Sequence, residues 1–181
     1  ANGFKNSAMI SVSTVVFQSA FACMAGYALA RIPVRGKNFV LGIILSTMLV
    51  PGTSLFVPRF VQIAKMGWVN TFQGLIVPGL FNAFNTFMFR QHFLDFPSEL
   101  EDAARVDGLG YFGIFWRIAM PNSWPIIIAL SSFTLVNSWN AFLWPLVIGQ
   151  GRDWWTVQVN LSTFLTAQVV RLNLSFAGAF L

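Results

Sequence analysis

Five of the six acidic residues of this chain fall in one short stretch, Asp95, Glu99, Glu101, Asp102 and Asp107, interleaved with Arg90, Arg105, Arg117 and the single histidine, His92. Such a set suits either general acid–base chemistry or ion pairing with a partner. Catalysis would also need a nucleophile, a metal or a phosphate cradle nearby. The one cysteine, Cys23, sits inside an uncharged apolar stretch and reads as a buried hydrophobe. Gly36-Lys37 lacks the preceding glycine that a Gly-x-x-x-x-Gly-Lys-Ser/Thr loop requires. With a lone histidine, read as an interfacial residue, no metal cluster or catalytic triad can be assembled. The chain is therefore expected to be no enzyme and to hold no cofactor, and its charged stretch points to pairing with basic groups around a groove.

Ser98 follows Pro97, and Glu101 stands three residues on, a spacing that predicts a capping box opening a helix of about nine residues. Gly108 is the expected stop. Acids in the first turn are favoured by the helix dipole, and the pair Ala103-Ala104 gives one nearly flat face. An aromatic segment, Tyr111, Phe112, Phe115 and Trp116, then leads through Arg117 and Ile118 to Pro121. The helix is either a solvated connector or a docking element; its flat face and flanking acids favour docking.

The elements that must hold this stretch are set by composition. Of the 181 residues 56% are hydrophobic and 9% charged, with 20 Phe and 7 Trp, and mean hydropathy is +0.66. Soluble domains carry roughly 25% charged residues, so an all-α, polytopic membrane bundle is expected. A span needs about 20 apolar residues, which places spans at about residues 6–30, 38–59, 71–89 and 122–148 of a single domain, 1–181, with 90–121 as the charged loop. Small residues in the first span, Gly26 among them, allow close helix approach. Pro51-Gly52 predicts a kink or early end in the second span, and Pro78-Gly79 a break in the third. The net charge of +5 is scattered over span ends rather than gathered in a stripe, which argues for anchoring at the lipid interface and against nucleic acid. Six basic residues against five leave orientation nearly balanced, and the compact set Arg31, Arg35 and Lys37 leans toward a cytoplasmic turn there and a cytoplasmic 90–121 loop. Polar residues within spans, Asn82, Asn85, Asn137, Ser138 and Asn140, with Trp139 and Trp144, either line a solute pathway or hydrogen-bond between helices.

The run Asp102-Ala-Ala-Arg-Val-Asp-Gly108, nine further residues and Ile118-Ala-Met-Pro121 resembles the signature loop of the membrane subunits of ATP-binding cassette importers, Glu-Ala-Ala, three residues, Gly, nine residues, Ile-x-Leu-Pro. The wider chain is similar to the carbohydrate-uptake branch, close to the maltose-type second permease subunit. The matching stretches are Asn6-Ser7 opening a span that ends Gly26-Tyr-Ala-Leu-Ala-Arg31, then Gly67-Trp-Val-Asn-Thr71, then Ser138-Trp-Asn-Ala-Phe-Leu-Trp-Pro145. The leading acid is Asp102 rather than Glu, with Glu101 beside it, and Leu109 replaces a small residue after Gly108.

The resemblance implies a type I importer permease fold in the inner membrane and a coupling helix seated on a cytoplasmic ATPase dimer that binds ATP and Mg. Glu99, Glu101, Asp102, Ala103, Ala104, Arg105, Asp107 and Gly108 would form the ATPase contact, and either Glu101 or Asp102 would make the acid's contact. It also implies a second permease subunit, an extracytoplasmic solute-binding protein, and a sugar or sugar-like solute passing near Asn82, Asn85, Asn137, Trp139 and Asn140. Alternatives are a glycerol phosphate-type solute, or a channel or scaffold without energy coupling. The family core has six spans; Ala1 at the start and the apolar Phe176–Leu181 at the end suggest a fragment lacking the first span and most of the last.

Overall fold

The computed structural model describes residues 2–166; the expected last apolar segment, 176–181, lies outside the described residues. The regular elements among the described residues are all helical, joined by turns, with no strand among them. In chain order the helices are α1 (Asn2–Arg31), α2 (Lys37–Thr47), α3 (Phe56–Lys65), α4 (Phe72–Ile76), α5 (Ala83–Asp95), α6 (Ser98–Val106), α7 (Tyr111–Ile114), α8 (Met120–Asn122), α9 (Trp124–Trp139), α10 (Leu143–Ile148) and α11 (Val157–Thr166), with a π-helical turn over Phe115–Ala119.

Among the described residues only α1, with 30 residues, is by itself long and apolar enough to cross a membrane; Tyr111–Asn122 with Trp124–Trp139, bent by 75°, makes a second if the pair is one span. The other apolar stretches are interrupted for identifiable reasons. α1 stops at Arg31 because Ile32 precedes Pro33 and is pushed out of the helical region. α2 ends at Thr47, where Ser46 and Thr47 turn their hydroxyls back onto the carbonyls of Ile43 and Ile44, both at 2.7 Å, short of Pro51. Pro78 falls in a 3-10 turn, Val77–Gly79, between α4 and α5. The stretch 122–148 is two helices, α9 and α10, because Pro145 has no N–H for the carbonyl of Ala141.

The described residues form two compact units, one from residues 16–54 and 80–133, the other from 2–15, 55–79 and 134–166. The core of the first gathers Ala22, Cys23, Tyr27 and Ala30 of α1 with Phe89 and Phe93 of α5, Ala104 of α6, and Ile114, Phe115 and Ala119. Tyr27 packs edge-on to Phe93, with ring centroids 5.3 Å apart, and tilted on Phe115 at 5.1 Å. Gly26 lets α1 and α5 touch backbone to backbone. α2 buries none of its residues and leaves Phe39, Val40 and Ile43 exposed.

The second unit packs Ile10, Ile63, Leu75 and Ile148 beneath Trp68, Phe72, Trp144 and Trp154. Asn70, at a φ of 57°, turns the chain so that its side-chain oxygen accepts from the N–H groups of Gln150 at 2.8 Å and Gly151 at 3.3 Å. Thr71 then caps α4 by accepting from the N–H of Gly74 at 3.1 Å.

Candidate functional site

The charged stretch folds as α6, nine residues long. Its start differs from the expected capping box. Pro97 occupies the cap position, Ser98 is already helical, and no side-chain cap bond forms. The reason is the fate of Glu101, whose carboxylate turns away from the helix start toward two arginines. Glu101 is only 1% exposed. Its Oε1 lies 3.3 Å from Nε of Arg31, and its Oε2 lies 3.4 Å from Nη2 of Arg105. Arg31 also donates through Nη2 to the carbonyl of Phe96, the residue before the α5–α6 corner. As the last residue of α1, it places its charge at the negative end of that helix.

Asp102 sits next in sequence and faces the other way. Its side chain is 64% exposed and accepts from Nη1 of Arg105 at 2.7 Å. Arg105 in turn lies over the ring of Tyr111, 5.4 Å from the centroid. Of the two adjacent acids, then, Asp102 is presented outward and Glu101 is held inside. Ala104 is buried in the core while Ala103 is exposed, so the alanine pair divides between two faces. Glu99, Asp107 and the apolar Leu100 and Val106 are exposed as well, Val106 at 88%.

Gly108 ends α6 at a φ of 84°. Its N–H donates to the carbonyl of Arg105 at 3.0 Å and that of Leu109 to Ala104 at 2.9 Å, the paired bonds of a Schellman turn. The bulky Leu109 follows Ala104 into the first unit's core, where it packs among the buried residues.

Beyond this turn α7, the π-helical turn and α8 lead to a corner at Ser123. Pro121 and Pro125 each remove a backbone donor there. The N–H of Ser123 bonds to Met120 rather than to Ala119, and the Ser123 hydroxyl donates to the Ala119 carbonyl at 2.6 Å. Asn122 donates to the Ile118 carbonyl at 2.8 Å. Because the Ser123 proton is used on Ala119, its oxygen accepts from Nε2–H of His92 at 2.9 Å, which fixes the imidazole tautomer. Burial holds the pKa of His92 below its usual value, against an opposing pull from Asp95.

The expected pathway residues fall in different units. Asn82 caps α5 by accepting from the N–H of Asn85 at 2.9 Å. Asn85 is buried and donates to the side-chain oxygen of Gln18 on α1 at 3.2 Å. In the other unit Asn140 accepts from Gln158 at 3.1 Å, Trp139 meets Phe4 edge-on at 5.5 Å, and Trp144 donates to the carbonyl of Gly74 at 3.1 Å. Asn137 is exposed on α9. Among the described residues no group of three or more His, Cys, Asp or Glu is arranged to hold a metal. Sequence reasoning missed Arg31 as the counter-ion of Glu101. Its signal was an arginine alone at the end of a helix otherwise free of charge after Lys5.

The profile of the family described as binding-protein-dependent transport system inner membrane component matches residues 19–181. The chain is 38% identical over 176 residues to the arabinooligosaccharides transport system permease protein AraQ of Halalkalibacterium halodurans, covering 97% of this chain and 63% of that protein. It is 32% identical to the lactose transport system permease protein LacG of Rhizobium radiobacter, covering 91% and 60%. With the sn-glycerol-3-phosphate transport system permease protein UgpE of Yersinia enterocolitica it shares 30% identity, over 90% and 58%. In the crystal structure of a bacterial ABC transporter involved in the import of the acidic polysaccharide alginate, one chain is similar at a TM-score of 0.87 and 26% identity, covering 98% of this chain and 62% of that one. The chain thus spans about three fifths of the length of these relatives. Together with the all-helical architecture this gives the type I importer permease fold, and the chain belongs to the family of binding-protein-dependent transport system inner membrane components.

Proposed function

We propose that this chain is part of the permease subunit of a sugar importer, lining a pathway with a second permease subunit and driven through α6 by a separate ATPase dimer. The observation that carries the reading is the division of α6 into two faces. Glu101 and Ala104 fasten it to its own unit, while Leu100, Ala103 and Val106 stand exposed among Glu99, Asp102, Arg105 and Asp107. An exposed apolar stripe rimmed by charges has the chemistry of a docking surface. The acids Glu99, Asp102 and Asp107 suit a cleft with basic walls. Because Arg31 pairs with Glu101, the turn at 31–37 and α6 lie on one side of the bilayer, and the basic residues of that turn favour the cytoplasm. Membrane lipid would cover apolar surfaces such as that of α2.

A neutral sugar is favoured because the uncharged stretches offer no basic group to a phosphate; the resemblance to a glycerol-3-phosphate permease keeps that solute as the second reading. Delivery would come from an extracytoplasmic solute-binding protein, as the family's description implies. The test is Asp102→Lys or Val106→Glu in the assembled transporter. Loss of ATPase co-purification and of uptake, with membrane insertion intact, is expected. Unchanged association and uptake would refute the docking role, and transport that proceeds equally without ATP would favour a channel.

A further inference from the structure

We propose that Arg31 and Glu101 are positioning residues that clasp α6 to the end of α1, so that the two helices move as one body when α6 is displaced. The inference rests on the reading of α6 as the ATPase-driven element and goes beyond it by naming the route along which displacement enters the bundle.

Three observations carry it. First, Glu101 is the one acid of α6 that is fully enclosed, and it could not pair with any partner protein without leaving its site. A carboxylate is drawn into such a place only against a fixed counter-charge, since an unpaired buried charge is severely penalised. Second, Arg31 spans both sides of the corner between α5 and α6. One guanidinium nitrogen meets Glu101 in the first turn of α6, and another donates to the carbonyl of Phe96 at the end of α5. Its guanidinium lies among three helix ends, ion-paired with Glu101 without a hydrogen bond between Nε and Oε1 and hydrogen-bonded to Phe96, and a lysine could reproduce the charge but not this arrangement. Third, the apolar contacts around the pair follow the same line. Ala104 of α6 lies one turn beyond Glu101 in the core that holds Ala30 and Tyr27 of α1.

Arg105 also touches Glu101, yet it is largely exposed and shares itself with Asp102 and Tyr111. Arg105 donates from Nη2 to Oε2 of Glu101 at 3.4 Å, while its pair with Asp102 is exposed at both partners and contributes little. The clasp therefore assigns Arg31 and Arg105 different duties although both contact one carboxylate. Arg31 holds the helix to its own subunit, and Arg105 shapes its outer face.

The test uses the full transporter with its ATPase, reconstituted in lipid nanodiscs, with Cys23→Ser and spin labels at Met24→Cys on α1 and Ser98→Cys on α6. Both label sites are exposed. The clasp predicts one narrow distance that does not shift when ATP and Mg are added. Glu101→Gln, close in shape, and Arg31→Met are expected to broaden the distribution in the absence of nucleotide. They are also expected to let the distance shift on adding ATP while ATP hydrolysis persists. Arg31→Lys should give an intermediate result, and Arg105→Gln should match the parent. A parent distance that shifts with ATP overturns the clasp, as do Glu101→Gln and Arg31→Met variants whose distances match the parent in both states. The nucleotide-free comparison reads the clasp alone. An ATPase that fails to associate with the parent chain therefore defeats the coupling reading without touching this one.

Discussion

Adding a single methyl group at Gly26 and at Gly42 should move stability in opposite directions. At Gly26 the added methyl carbon would lie 2.6 Å from Cβ of Phe89, 2.8 Å from the backbone nitrogen of Arg90 and 3.0 Å from the backbone carbon of Phe89. Carbon atoms pack at about 3.5–4.0 Å, so the shortfall is roughly 1 Å. The obstacle is α5 backbone and the root of a buried ring, neither of which can rotate away. α1 and α5 must separate, disturbing the core formed by Tyr27, Phe89 and Phe93. Overpacking of this kind costs about 1–3 kcal/mol, and a backbone obstacle places Gly26→Ala near the upper end. Alanine recovers about 0.8–1.0 kcal/mol of helix propensity, leaving a net loss of about 2 kcal/mol. At Gly42, in α2, the same methyl group meets nothing within 4 Å, so only the propensity gain of about 0.8–1.0 kcal/mol is expected. Equilibrium unfolding of the two variants in mixed micelles, followed by helical circular dichroism, measures both. A Gly26→Ala variant as stable as the parent would refute the close-approach argument, and a destabilised Gly42→Ala would refute the propensity argument.

Gly108 tests a different cause, since its substituent meets open space and only the positive φ of 84° resists change. Gly108→Ala should lose about 1–2 kcal/mol and Gly108→Asn clearly less, read in the same unfolding assay; equal losses would contradict this. His92 should make the protein acid-sensitive. Its pKa is held down, so the unfolded chain, with a histidine near pH 6.5, binds the proton first, and stability falls as pH drops through that value. His92→Gln can still donate to Ser123 and should flatten the pH dependence between about 7 and 5; an unchanged slope would assign it to other groups. Trp144→Phe removes the indole N–H that reaches Gly74 and should cost about 1 kcal/mol, measurable by the same titration and contradicted by a neutral effect.

The bounds of α6 were legible because both are set by neighbours in sequence, Pro97 before it and Gly108 after it. The break at Pro78 was legible for the same reason, as a missing donor acts locally, while the early end expected near Pro51 comes at Thr47, where the Ser46 and Thr47 hydroxyls bond back to the helix. The capping box was misread because its second member had a stronger offer. Arg31 stands 70 positions before Glu101, and no local pattern announces that such a pair will meet. The distinct fates of Glu101 and Asp102 follow from the same contact. The span drawn over 122–148 ran through the break between α9 and α10, because hydropathy reports affinity for lipid and says nothing of backbone continuity. Asn82 and Asn85 stood out as polar residues in apolar surroundings, and the structure employs the first as a cap and the second in a bond to Gln18.

The corner at Ser123 has a mechanical consequence. Most proline bends leave carbonyls facing empty space, and such joints flex because many angles serve them equally well. Here the Ala119 carbonyl, from which the Ser123 N–H has turned to Met120, is taken by the Ser123 hydroxyl, Asn122 adds a bond to the Ile118 carbonyl, and the ring of His92 is bonded to the same hydroxyl. An elbow braced from three sides keeps its angle under load. Under the proposed coupling role, such a joint would carry torque from the aromatic segment into α9 as a bracket does, with little of the motion lost.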